Sequence, residues 1–145
     1  MAENPDVAVL NSIYRGAKTG EQAINDMLPK TDDRAFTADL ETQRDEYVTI
    51  SKEAATRLVN MGTEPEPVGE MKKLGMKVGV TMNTMTNDET NHLAELVIKG
   101  SNMGIITMTK VVNGYQQASP ETLGLAQKLI TTENDNITRL KTYLK

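Results

Sequence analysis

Cysteine is absent from this chain, which excludes disulfides, thiolate metal sites and cysteine nucleophiles. Tryptophan is absent too, and aromatics make up only 3% of the residues, as four Tyr and one Phe. A base-stacking platform for nucleic acid needs more ring faces than that. The basic residues are scattered and the formal net charge is −4, so no nucleic-acid partner is expected. No apolar run approaches the roughly 18 residues of a spanning helix, so no membrane partner is expected either. The first residues, Met-Ala-Glu-Asn-Pro-Asp, lack the basic and apolar regions of a secretory leader, and a cytoplasmic location is the expectation. No segment alternates with period two, which predicts no strands. Neither a Walker-type phosphate loop nor a Gly-x-Ser-x-Gly elbow occurs, and a Ser-His-Asp triad would have to use the single histidine, His92.

What remains is helix. The 145 residues suit one domain over 1–145 with a single core. Asn4-Pro5 has the form of an N-cap followed by proline at the first helical position, and a first helix is expected to Leu28. Thr31, Asp32 and Asp33 offer the next cap, for a second helix to about Met61. Gly62 suits its C′ position, and Pro65 and Pro67 stiffen the loop. A third stretch runs from near Val68 to Val112, where Asn113-Gly114 stops it. Ser119-Pro120-Glu121 starts the last helix. Apolar residues recur at steps of three and four in each: Leu10, Ile13, Tyr14, Ala17, Ile24 and Leu28; Phe36, Leu40, Tyr47, Ile50, Ala54, Leu58 and Met61; Met71, Leu74, Val78, Met82, Met85, Leu96, Met103 and Ile106; Leu123, Ala126, Ile130, Ile137, Leu140 and Leu144. These seams predict an all-α, antiparallel up-down-up-down four-helix bundle, with room for a kink or break in the third helix. Gly16/Gly20, Gly75/Gly79 and Gly100/Gly104 are Gly-x-x-x-Gly pairs. Each glycine costs about 1 kcal/mol inside a helix, and close helix approach is the compensation to look for.

Each seam also carries acid. Glu21 lies between Ala17 and Ile24, and Gln43 and Glu46 flank the second seam. Glu89 and His92 form Glu-x-x-His in the third, and Glu133, with Asn136 three further on, sits between Ile130 and Ile137. Buried ionisable groups are costly unless paired or bound to something. Four helices turning carboxylates inward is also how a bundle holds two metal ions.

On these residues the chain resembles the ferritin-like superfamily. The resemblance implies iron or manganese, oxygen or peroxide chemistry, and Glu21, Glu46, Glu89, His92 and Glu133 as candidate metal ligands. The departures are specific. The superfamily places Glu-x-x-His on the second and fourth helices, where this chain has Gln43-x-x-Glu46 and Glu133-x-x-Asn136. At about 1.5 Å per residue, an unbroken third helix brings Glu21, Gln43, Glu89 and His92 to one level and leaves Glu133 roughly 15 Å away.

Other readings stand beside this one. Thr86-Asn87-Asp88-Glu89 is a capping box, which would break the third stretch and place Glu89 near solvent. Met82-x-x-Met85 with His92 offers soft ligands for Cu(I), or simply adaptable core filler. The alternative for the whole chain is a non-catalytic structural or assembly bundle without metal, and a homodimer is the default oligomer.

Overall fold

The structure is a computed structural model that describes residues 4–66 and 89–145. The part of the expected third helix before Glu89, with the Gly75/Gly79 pair, the Met82/Met85 pair and the Thr86 end of the capping box, lies outside the described residues.

The described residues form four α-helices and two single 3-10 turns, with no strand among them. Helix α1, Pro5–Met27, opens where the cap predicts, with Asn4 Oδ1 accepting from the N–H groups of Asp6 and Val7 at 2.9 and 3.4 Å. A 3-10 turn over Leu28–Lys30 leads to α2, Arg34–Asn60, capped by Asp33 Oδ1 on Phe36 N at 3.0 Å. Gly62 closes α2 at φ 77°, a left-handed conformation that glycine adopts without steric cost. Helix α3 spans Thr90–Gly114, with Glu89 at its N-cap position. Helix α4, Pro120–Leu140, is capped by Ser119 Oγ on Thr122 N at 3.3 Å, and a last 3-10 turn covers Lys141–Tyr143.

Cross-helix contacts fix the directions. Thr90 bonds to Asp33 and Gln43 to Ser101, at separations of 57 and 58 residues, and a constant offset means that α2 and α3 run parallel. Asp6 accepts from Ser119 N, 113 residues on, and Gly16 lies against Leu129 at the same offset, so α1 and α4 are parallel. Between α2 and α4 the separation widens toward the start of α2, from Tyr47 with Glu133 to Asp39 with Tyr143. These two are therefore antiparallel. The described helices run up, down, down and up, so the end of α2 and the start of α3 lie at opposite ends of the bundle. This departs from the alternating order expected above, because seam periodicity reports which face a helix buries and carries no information on its direction.

Helices α1 and α2 pack along each other, as do α3 and α4; the two pairs meet through α1 against α3 and α4, and α2 against α4. The core between them holds Leu10, Ile13 and Ile24 of α1, Phe36, Leu40, Ile50 and Leu58 of α2, Leu93 and Met108 of α3, and Leu129 and Leu140 of α4. Each large apolar side chain buried in this way stabilises the fold by about 1.5–3 kcal/mol. Tyr143 closes one end, edge-on to Phe36 at 5.2 Å between ring centroids. None of the described helices is long and apolar enough to cross a membrane.

Candidate functional site

A polar layer crosses the middle of this core. Tyr47 and Gln43 project from α2, one helical turn apart; Ser101 comes from α3, and Glu133 and Asn136 from α4. All five are buried, Tyr47 at 3% and Glu133 at 5% exposure. The Tyr47 hydroxyl donates to Glu133 Oε1. Gln43 Nε2 donates to Tyr47 Oη at 2.9 Å and to Ser101 Oγ at 3.3 Å, and the Ser101 hydroxyl lies near the Glu133 carboxyl. One amide thus feeds two hydroxyls, and that of Tyr47 donates to the carboxyl. Gln43 Oε1 is left buried with no hydrogen-bond partner among the described residues. Beside this group Asn136 Nδ2 donates to Glu46 Oε1 at 3.1 Å, and Arg139 Nη1 donates to Asn136 Oδ1 at 3.1 Å.

Two glycines make the layer possible. A Cβ on Gly20 of α1 would stand 2.5 Å from Tyr47 Cζ, and one on Gly104 of α3 would overlap Glu133 Oε2. Each helix pair therefore has a glycine on one member that admits the central side chain of the other. The other glycine of each pair needs no such room: Gly16 would make an ordinary 3.6 Å contact and Gly100 would meet nothing within 4 Å.

The electrostatics follow from the burial. Loss of water pushes the Glu133 carboxyl up from 4.5 to about 7. The Glu46 carboxylate pushes the same way, and the hydroxyls of Tyr47 and Ser101 oppose both. The Tyr47 hydroxyl is raised well above its ordinary value, first by burial and then by Glu133. At neutral pH the centre of the bundle therefore holds a carboxyl poised between its two charge states.

The sequence candidates disperse. Glu133 is central and Glu46 lies beside it. Glu21 is half-buried on α1 and pairs with Lys18 Nζ at 3.4 Å. Glu89 is exposed at the start of α3. His92 is half-buried one turn on, its Nδ1 4.0 Å from Glu95 Oε2. Among the described residues no group of three or more His, Asp or Glu side chains comes together in a way that could hold a metal ion. The level reckoning fails for a physical reason: α3 begins at Thr90 beside the start of α2, so Glu89 and His92 sit at an end of the bundle. Ser101 and Gly104 occupy the level assigned to them. These donors do not fit an iron or manganese centre: only two are carboxylates, and Glu133 is already engaged by the Tyr47 hydroxyl. Sequence reasoning passed over Ser101 and counted Tyr47 as an apolar seam residue. Gly20 and Gly104 were the available signal, since a glycine facing a seam asks which side chain needs its space.

No protein-family model matches this chain, and neither a curated protein nor a solved structure matches it.

Proposed function

We propose that this chain is a non-catalytic helical bundle of ferritin-like arrangement that serves as an assembly unit, its interior a hydrogen-bonded polar layer in place of a metal centre. The observation that carries this reading is the engagement of Glu133 by Tyr47, with Gln43 behind it bonded to both Tyr47 and Ser101. The helix directions, up, down, down and up, fit the ferritin-like arrangement. A buried polar layer of this kind favours one helix arrangement over others, because any shift leaves its groups unpaired. For assembly, α3 turns Met103 and Ile106 to solvent at 65% and 52% exposure. A helix face repeated about a two-fold axis meets itself in a homodimer.

Two measurements test the reading. Elemental mass spectrometry after loading with Fe(II) or Mn(II) and removal of the excess is expected to find no stoichiometric metal. Metal retained by the wild type and lost in Glu46→Ala/Glu133→Ala would restore the metalloenzyme. Light scattering is expected to give a dimer, and a monomer for Met103→Lys/Ile106→Lys. A wild type that stays monomeric at every concentration would end the assembly reading.

A further inference from the structure

We propose that α3 is a strap that lifts from the bundle as one unit and is fastened at mid-length by Glu133. Over its 25 residues α3 buries Leu93, Ala94, Ser101 and Met108, whereas α4 buries ten side chains over 21 residues. The large aliphatic and aromatic residues of the core belong mainly to α1, α2 and α4. The polar ties of α3 to α2 are long, 3.3 Å for Thr90 with Asp33 and 3.3 Å for Gln43 with Ser101. The Met103 and Ile106 face gives no hold on the bundle, because it points outward.

Leu96, Val97, Ile98, Ile105, Val111 and Val112 of α3 pack against the core while only partly buried. The tightest fit at mid-length is to one side chain: the Gly104 backbone lies directly over Glu133 Oε2, and Ser101 beside it accepts from Gln43. The carboxyl is fixed from the other side by the Tyr47 hydroxyl. It can move away from Gly104 only by giving up that bond. Local opening in proteins follows such differences in buried apolar contact, and the least buried element opens first. When α3 lifts, the Tyr47–Glu133 layer is bared without disturbing the α1–α2 pair.

Native-state hydrogen exchange at pH 6, followed by mass spectrometry on the full chain, tests this. In the wild type the α3 amides are expected to share one opening constant, at least about tenfold larger than that of the slowest α1 and α2 amides, as befits a separate cooperative unit. Gly104→Ala is expected to raise that constant on the order of tenfold and to leave α1 and α2 unchanged. Gly100→Ala, which has open space around it, is expected to lower it roughly fivefold through helix propensity alone. Exchange of α3 at the same constant as α2 would overturn the strap. A Gly104→Ala protein indistinguishable from wild type would overturn the fastening. If Gly104→Ala does not fold, Ser101→Ala takes its place: selective opening of α3 is expected, and equal opening of all helices contradicts the proposal.

Discussion

Helices α2 and α3 run in the same direction without packing along each other, and they are held in opposite ways. Helix α2 buries Phe36, Leu40, Tyr47, Ile50, Ala54 and Leu58 on one continuous face. Helix α3 is the more apolar segment, yet it buries four residues, two of them Ser101 and Ala94. Apolar content alone therefore does not measure attachment. In α2 the apolar residues fall on one stripe and polar residues on the other, so periodicity selects the inner face. In α3 the core-facing apolar residues also fall on one face, but most of them are only partly buried, and Ser101 and Gly104 lie within that face where Glu133 approaches.

Truncation should separate the two helices most strongly. Leu40→Ala is expected to cost about 2–5 kcal/mol, since it empties fully buried space. Val111→Ala, at a partly buried position of α3, should cost about 1 kcal/mol. Urea unfolding of both variants checks this, and equal costs would mean that α3 is buried as deeply as α2.

Acid–base titration sharpens the same contrast at the layer where the helices meet. The folded state holds the Glu133 proton more tightly than the unfolded state does, so its contribution is fully present below about pH 4.5 and is lost as pH rises through about 7. The loss is on the order of 3 kcal/mol at most. Glu133→Gln keeps a polar group at the site and removes the titration, so its unfolding free energy should be flatter than that of the wild type between pH 5 and 8. A wild type equally flat over this range would place the carboxyl in water. A small effect of opposite sign is expected at Gly100, where Ala should stabilise by up to about 1 kcal/mol in thermal unfolding, because the position is open and helical.

Much of this was legible in the chain. Asn4-Pro5, Asp33, Gly62 and Ser119-Pro120 marked helix ends because capping is local chemistry, written within four residues of where it acts. The seams of α1, α2 and α4 were legible for the same reason. The direction of α3 was not, since it depends on the path of the chain between Met61 and Glu89 and not on any local pattern. The centre was half legible. Glu133, Glu46 and Gln43 stood out as polar residues in apolar seams, but their partners did not. Tyr47 passes for an apolar residue on a helical stripe, and Ser101 carries no signal until Gly104 and Glu133 are brought against it. Glu89 and His92 had the strongest motif and the least central position, because Glu-x-x-His marks a face of a helix and says nothing about its level in the bundle.

The most direct test of the account is a double-mutant cycle on Tyr47→Phe and Glu133→Gln, with each unfolding free energy measured in urea at pH 6. If the hydroxyl and the carboxyl meet at the centre of the bundle, the two substitutions should be coupled by about 1–2 kcal/mol. Strict additivity would mean that the two side chains do not touch, and the central polar layer would not exist as described.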